Sequence, residues 1–314
     1  MSLLGIGYGL RAWARIFGLV LVLGIGIGGA SSAFGQSTHA LIVSGVSGEP
    51  RLAVQFERDV VVMRDALSKR FGASVTVLTE KSAPRSDKAA VMQALQKLAS
   101  GSKAGDQVLV VMVGHGSAQG GDARFNIPGP DITATEIARG LNALAKRNVA
   151  IVVATSSSGA FISPLSGSGR VVVTATKSGG QNEEVVFGSH FAKALSEDVA
   201  DANKDGAVSL AEAFDYSKRE VARFYQQNNR IATEAAVLNG TGAEAFVLRS
   251  PRAQAADPAV QKLYAERASI EQRISAHKAK KSSMNAEAYE TELERLLLQL
   301  AQLERQIRAA EQKN

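Results

Sequence analysis

The sequence predicts an α/β fold with a mostly parallel sheet flanked by helices, followed by a C-terminal antiparallel helical hairpin. Two valine-rich runs, residues 107–113 and 148–154, are apolar throughout, as in strands that are buried on both faces. Segments with helical spacing alternate with these and other strands, which is the pattern of βαβ units. Near the end of the chain the apolar residues change to heptad spacing, which indicates a separate helical element.

The composition sets limits on the class of protein. Of the 314 residues, 45% are hydrophobic and 21% are charged, which suffices for a packed core in one or two folded units. The net charge of +6 is modest, and no basic stripe with interleaved aromatics is present, so nucleic acid is not an expected partner. The absence of cysteine excludes disulfides, thiolate metal sites and a cysteine nucleophile.

Residues 1–35 predict an export signal peptide. Arg11 and Arg15 form a positive flank, and residues 16–29 form an apolar stretch too short for a typical membrane span. Small residues near Ala33 and Gly35 suit cleavage. We therefore expect a periplasmic or secreted protein. The alternative is an uncleaved signal, which would be its only contact with a membrane.

Residues 36–250 predict one α/β domain with its elements in alternating order. A capping box of Thr133 and Glu136 marks the start of one helix. A Gly-rich loop through Asp122 follows the strand at 107–113. Strands are expected at residues 40–44, 74–79, 107–113, 148–154 and 170–176, and helices at 54–71, 87–98, 133–144, 187–199 and 210–225.

An Ala- and Pro-rich linker, residues 251–258, precedes the hairpin predicted for residues 259–314. The second arm carries a heptad seam with alternating gaps of four and three residues: Tyr289, Leu293, Leu296, Leu300, Leu303 and Ile307. The first arm has a weaker seam that Arg267 interrupts: Val260, Leu263, Ile270 and Ile274. An intermolecular coiled coil is the alternative to a hairpin within one chain.

Polar residues follow the two valine-rich strands. The first strand is followed by His115 and Gly116, and the second by Thr155, Ser156 and further serines. In open α/β sheets, ligands bind beyond the carboxyl ends of the strands. A histidine and a hydroxyl nucleophile can meet at such a place.

These two strand ends resemble those of the caspase-like clan, which comprises caspases, metacaspases and legumain-type peptidases. In that clan one strand ends in His-Gly, and the next helix-linked strand ends in a motif that contains the catalytic cysteine. His115-Gly116 and residues 154–159 match those places, within a resemblance that covers residues 40–248. The resemblance implies a caspase-haemoglobinase-like fold in a bacterial exported member. The C-terminal seam resembles a common appendage of bacterial members.

The resemblance also implies roles for individual residues. His115 would be the general base or acid, and Ser156 stands where the clan has cysteine. The Gly116 N–H would contribute to an oxyanion hole, and Ala154 would line the primary specificity pocket. The other matched positions, expected beside the cleft, are Ser158 and Gly159.

Serine is a poor replacement for cysteine in such a site. A thiol has a pKa near 8.5, and a nearby imidazolium can convert it to a thiolate. A serine hydroxyl must instead lose its proton during attack, to a histidine oriented by a third group. The spacing identifies no such group, although Asp122 and Glu183 are candidates in space.

Four interpretations follow. We adopt a catalytically degenerate peptidase fold that binds a peptide or protein, in the cleft or on the hairpin. The alternatives are an active hydrolase with Ser156 as nucleophile and His115 as base, an unrelated use of the cleft, or a simple turn whose serines cap backbone groups.

Residues 201–212 match every position of an EF-hand calcium loop. Helical patterns flank the loop on both sides. We expect one structural Ca²⁺ ion here; the alternative is a turn capped by a Ser209–Glu212 capping box. The expected ligands are Asp201, Asn203, Asp205, the Ala207 carbonyl, Ser209 and Glu212.

Overall fold

A computed structural model describes residues 36–119, 122–203, 205–249, 258–278, 281 and 284–311. The predicted signal peptide (residues 1–35) lies outside the described residues, as does the predicted linker (251–258) apart from Pro258. Within the described residues, no helix is long and apolar enough to cross a membrane.

A six-stranded sheet forms the centre of the α/β domain. Its strands, in spatial order, are β10 (Val237–Asn239), β8 (Arg170–Thr174), β7 (Asn148–Thr155), β3 (Gln107–Gly114), β1 (Thr38–Ser44) and β2 (Ser74–Leu78). All neighbouring pairs are parallel except β10 and β8. The predicted fold class is therefore confirmed.

Helices cover both faces of this sheet, which explains why its central strands are apolar throughout. Alternate residues of β3 face opposite cores: Val111 packs in one cluster and Val110 in the other. The first core lies under α1 (Pro50–Asp65), α5 (Phe187–Ser196) and α6 (Leu210–Gln227). The second lies under α2 (Lys88–Gly101), α3 (Ala134–Leu141) and α4 (Ile162–Leu165).

Two small antiparallel sheets adjoin the central one. One contains β4 (Gly116–Gln119), β5 (Asp122–Phe125) and β6 (Ile132–Thr133). The predicted Gly-rich loop includes residues 120 and 121, which lie outside the described residues. Asp122, the last residue of that loop, instead begins a strand, because Gly116–Gln119 pairs with Asp122–Phe125 and buries Phe125. The other pairs β9 (Ala207–Ser209) with β11 (Val247–Arg249).

The C-terminal helices are α7 (Pro258–Lys278) and α8 (Ala286–Glu311). They run antiparallel within one chain, since the His277 ring stacks on Tyr289 with a centroid distance of 4.8 Å and Arg267 lies 4.0 Å from Glu304. Arg267 is 4% exposed, and its guanidinium donates to the backbone carbonyl of Asn203 in the α/β domain. The seam residues buried in the hairpin are Val260, Ile274, Tyr289, Leu296, Leu303 and Ile307.

Candidate functional site

The sheet register brings the two motif strands together. β3 and β7 are hydrogen-bonded neighbours, with Gly114 opposite Thr155, so His115 and Ser156 follow at adjacent strand ends. The Ser156 hydroxyl is bound to Gly116 twice: it donates to the carbonyl (3.0 Å) and accepts from the N–H (3.2 Å). The predicted proximity of the two motifs is therefore present in the backbone.

His115 faces away from this hydroxyl. Its Nε2 lies 3.1 Å from the Ser47 carbonyl oxygen, which can only accept, so the ring nitrogen is the donor. The ring also meets Phe56 edge-on, with centroids 5.7 Å apart. In the described part of the chain, His115 has no hydrogen bond to Ser156 or to a carboxylate. A base–nucleophile pair is thus not formed.

The two carboxylates considered as orienting groups do not serve that purpose in this conformation. Asp122 lies 3.4 Å from Arg124 on the neighbouring small sheet. Glu183 is exposed on the segment that precedes α5. Among the described residues, therefore, no third group holds the imidazole in the orientation that a serine nucleophile requires.

Gly116 is required by the close approach of the two strand ends. A Cβ atom at this position would lie 2.6 Å from the Ser156 carbonyl oxygen and 2.7 Å from the Thr155 hydroxyl. Its N–H, which the resemblance assigns to an oxyanion hole, instead donates to the Ser156 hydroxyl. A bound oxyanion would have to displace that hydroxyl.

Ser158 and Gly159 join the end of β7 to the end of β8. The Ser158 hydroxyl accepts from the Thr176 N–H (2.9 Å), and the Gly159 N–H donates to the Thr176 hydroxyl (2.9 Å). A Cβ on Gly159 would lie 2.1 Å from the Ser178 nitrogen, so only glycine fits. These contacts satisfy backbone groups, as the simple-turn interpretation expects.

Ala154 lies below the site, in the hydrophobic core. Its side chain is 3% exposed and faces α5, where a Cβ on Gly188 would be 3.4 Å from the Ala154 Cβ. The methyl group therefore packs against a helix, at the position that the resemblance assigns to the specificity pocket.

A segment that the sequence did not identify, residues 176–181, covers the strand ends. The Ser157 N–H donates to the Gln181 carbonyl (2.7 Å), and the Gln181 side chain accepts from the Lys177 N–H (2.8 Å). Gly179 packs so closely on β4 that a Cβ would lie 2.6 Å from that of Ala118. Ser156 is consequently only 5% exposed.

A groove of about 190 Å³ lies on the other side of Phe56, between α1 and the ends of β1 and β2. Its lining is mainly apolar, and the exposed pair Glu57–Lys81 (3.7 Å) is part of it. The Ser47 hydroxyl donates to Glu80 of the groove (2.7 Å), while the Ser47 carbonyl accepts from His115. The apolar lining comprises Ala53, Phe56, Val60, Val61 and Val77.

In the loop at residues 201–212, side-chain oxygens accept hydrogen bonds from backbone N–H groups of the same loop. The Asp201 carboxylate accepts from the N–H groups of Asp205 (3.0 Å) and Gly206 (2.9 Å). The Asn203 side chain also accepts from the Asp205 N–H (3.0 Å). Asp205 accepts from the Ala207 N–H (2.8 Å). Gly206 has φ +74°, which suits glycine at the sharp turn of such a loop.

The last expected ligand, Glu212, is engaged in a capping box. One of its carboxylate oxygens accepts from both the N–H (2.9 Å) and the hydroxyl (2.8 Å) of Ser209. The loop supplies only oxygen donors, which fits Ca²⁺, but bidentate binding by Glu212 requires that oxygen to turn towards the ion. Among the described residues, no three His, Asp or Glu side chains are already gathered as a metal site.

Comparisons with known proteins found similarity only to solved structures. No protein-family model matches the sequence, and no match was found among curated proteins. The crystal structure of the Drosophila initiator caspase Dronc is similar over 77% of this chain and 94% of its own, with 12% identity and a TM-score of 0.44. That of caspase-1 from Spodoptera frugiperda is similar over 65% and 86%, with the same identity and TM-score. Neither similarity bears on activity, substrate or site residues.

Proposed function

We propose that this protein is a catalytically degenerate, caspase-like protein that binds an extended peptide or protein segment at the carboxyl ends of its sheet. The observation that carries the proposal is the position of the Ser156 hydroxyl. It is buried and bound to both backbone groups of Gly116, while His115 donates to the Ser47 carbonyl. The nucleophile and base positions are adjacent but unconnected.

Catalysis would require several changes at once. Ser156 would have to leave Gly116, His115 would have to leave Ser47, and the segment at 176–181 would have to open. The hydroxyl would still lack the acidity of a thiol and an oriented base. The low acidity of the serine hydroxyl and the lack of an orienting group among the described residues thus disfavour catalysis independently of the distances.

Binding is supported by the groove beside Phe56. Its apolar lining and charged residues fit one apolar side chain of an extended segment that has a polar backbone. The adjacent strand β2 is the last of the sheet order, so its outer edge is available for an added strand among the described elements. Together these features favour a peptide over a small polar ligand.

An activity-based probe tests the loss of catalysis. We expect no labelling of the wild-type protein by a serine-reactive fluorophosphonate. Labelling that disappears in Ser156→Ala and in His115→Ala, but persists in the control Ser117→Ala, would establish the alternative of an active Ser/His hydrolase. The adjacency of the two strand ends is the observation that favours this alternative.

An arrayed library of extended peptides tests the binding half of the proposal. Val77 lines the groove, whereas the neighbouring Thr76 is exposed on the opposite face of β2. Val77→Glu should abolish peptide binding and Thr76→Glu should preserve it. Equal effects of the two substitutions would place the binding site elsewhere.

We also propose that the loop at 201–212 binds one structural Ca²⁺ ion and that the protein is exported. The full match to the calcium-loop pattern and the positive φ of Gly206 support the ion. Ca²⁺ would supply charge neutralisation for the carboxylates of Asp201, Asp205 and Glu212. Export rests on the character of residues 1–35.

A further inference from the structure

The outer face of α8 carries an ordered pattern of charged and apolar residues. It lies on the side of the helix opposite the buried seam of Tyr289, Leu296, Leu303 and Ile307. All of its members are exposed. This outer stripe consists of Glu287, Glu290, Glu294, Leu297, Leu298, Ala301, Arg305 and Arg308, with gaps of three and four residues between successive turns.

The middle of the outer stripe is apolar and uncovered. Leu297 is 46% exposed and Leu298 is 57% exposed, and together with Glu290, Leu293 and Glu294 they line a shallow surface groove. Two adjacent exposed leucines on a helix that already has a buried seam are not needed to hold the hairpin together. Such a patch favours association with another surface.

The two ends of the outer stripe are oppositely charged. Glu287 and Glu290 precede the leucines, and Arg305 and Arg308 follow them. None of these four side chains has an ion-pair partner within the described residues, whereas the neighbouring Glu292, outside the stripe, is paired with Arg295 at 2.5 Å. The charges of the stripe are therefore available to a partner.

The spacing of these residues is symmetric about a point between Leu297 and Leu298. Glu290 and Arg305 lie equally far from that point, and so do Glu287 and Arg308. With a rise of about 1.5 Å per residue, the first pair lies roughly 11 Å and the second roughly 16 Å from the centre. The stripe is thus complementary to a reversed copy of itself.

We propose that the outer stripe of α8 is a self-association surface that pairs two copies of this chain through antiparallel α8 helices. The two-fold axis passes between Leu297 and Leu298, where the four leucines of the two copies meet. At each end, Glu287 and Glu290 of one copy face Arg305 and Arg308 of the other. Such an isologous contact is the commonest form of homodimer interface.

The charges select the antiparallel arrangement. A parallel, in-register pair would place Glu287 and Glu290 against the same glutamates of the second copy, and the arginines against arginines. Like charges at facing positions of paired helices disfavour that arrangement. The leucines supply the contact area and the charged ends supply the orientation. The resulting dimer is a four-helix arrangement of two hairpins.

Complementary charge reversal tests the proposal with the purified chain. We expect the wild type to self-associate in sedimentation equilibrium. The double variant Arg305→Glu with Arg308→Glu has an outer stripe that is acidic at both ends. The double variant Glu287→Arg with Glu290→Arg has an outer stripe that is basic at both ends. Each double variant alone should associate at least about tenfold more weakly than the wild type. An equimolar mixture of the two should form a heterodimer.

A second pair of variants separates association from folding. Leu297→Gln with Leu298→Gln removes the apolar centre but keeps good helix formers at exposed positions, so the helix content measured by circular dichroism should not change. This variant should be monomeric. Substituting Gln302 and Gln306, which are exposed and lie off the stripe, by glutamate is the matched control and should leave the dimer intact.

The chain has no native cysteine, so one introduced cysteine reports the orientation. A spin label on Ala309→Cys should give a distance of about 35 Å between copies if α8 pairs antiparallel, and about 10 Å if it pairs in parallel register. Three results would overturn the proposal: a short distance, a wild type that stays monomeric up to about 1 mM, or a mixture of charge variants that does not associate.

Discussion

Two capping boxes in this protein have nearly the same local geometry but different surroundings. At the start of α3, one Glu136 oxygen accepts from the Thr133 N–H (2.9 Å) and hydroxyl (3.0 Å). At the start of α6, Glu212 accepts from the same groups of Ser209, at 2.9 and 2.8 Å. In both, the hydroxyl of the N-cap residue accepts the N–H of the glutamate. Local sequence thus fixes these contacts in the same way at two distant sites.

The difference lies in the second carboxylate oxygen. That of Glu136 lies 2.9 Å from the Lys88 ammonium of α2. Glu212 has no ion pair within the described residues and stands at the end of a loop that also carries Asp201 and Asp205. The same helix start is therefore neutralised by a neighbouring helix at Glu136 and by no described ion pair at Glu212. We infer that Ca²⁺ would neutralise the Glu212 carboxylate, as the Lys88 ammonium neutralises that of Glu136.

The response to calcium should separate the two capping boxes most strongly. A ligand that binds only the folded state stabilises it by mass action, by about 2.7 kcal/mol at one hundred times its dissociation constant. We expect millimolar Ca²⁺ to raise the melting temperature of the wild type. Glu212→Gln should abolish this rise, because glutamine lacks the bidentate carboxylate.

Glutamine is chosen because it can still complete a capping box, so helix α6 should start as before. Glu136→Gln is the matched control and should leave the calcium response unchanged. Calorimetry that detects no heat of Ca²⁺ binding to the wild type would reduce the loop to a capped turn. An unchanged response in Glu212→Gln would move the ion away from this loop.

Several features of the fold and of the site could be predicted from residues that are close together in the sequence. β3 and β7 were predictable because burial on both faces requires apolar side chains at consecutive positions. The two capping boxes were predictable because each depends on residues only three positions apart. The adjacency of the two motif strands also follows, since sequential strands of a parallel sheet are usually neighbours.

The remaining features depend on contacts between distant residues. The direction of His115 is set by Ser47, 68 positions away. The segment that covers Ser156 is held through Gln181 and Gly179, which carry no sequence signal for that position. Arg267 interrupts a heptad in the sequence, yet it is buried because it donates to the carbonyl of Asn203, 64 positions away.

A smaller effect is expected from the two N-cap residues themselves. Thr133→Ala and Ser209→Ala each remove the acceptor of one N–H at a helix start, which typically costs about 1 kcal/mol. In calcium-free buffer the two variants should lose similar amounts of unfolding free energy in urea titrations. A cost at Ser209 several times that at Thr133 would contradict the equivalence of the two capping boxes.

A further difference between Glu136, which is paired with Lys88, and Glu212 is expected in the stability of the protein at acid pH. The Lys88 ammonium, together with Thr133, lowers the pKa of Glu136 from 4.5 to about 2. Because the pKa is lower in the folded than in the unfolded chain, the stabilisation is present above about pH 4.5 and is lost as the pH falls towards 2. The Glu136 side chain is 29% exposed, so screening by solvent limits the stabilisation from the Lys88–Glu136 ion pair to at most roughly 1 kcal/mol.

Lys88→Gln should therefore lower stability at pH 7 and reduce its decline between pH 5 and 3, measured by urea unfolding at each pH. Lys97 is exposed on the same helix without an ion-pair partner in the described residues, so Lys97→Gln is the matched control. It should leave the pH profile unchanged. Identical profiles for all three proteins would mean that Lys88 does not neutralise Glu136 in solution. The two capping boxes would then be distinguished by the loop that precedes Glu212 and carries Asp201 and Asp205.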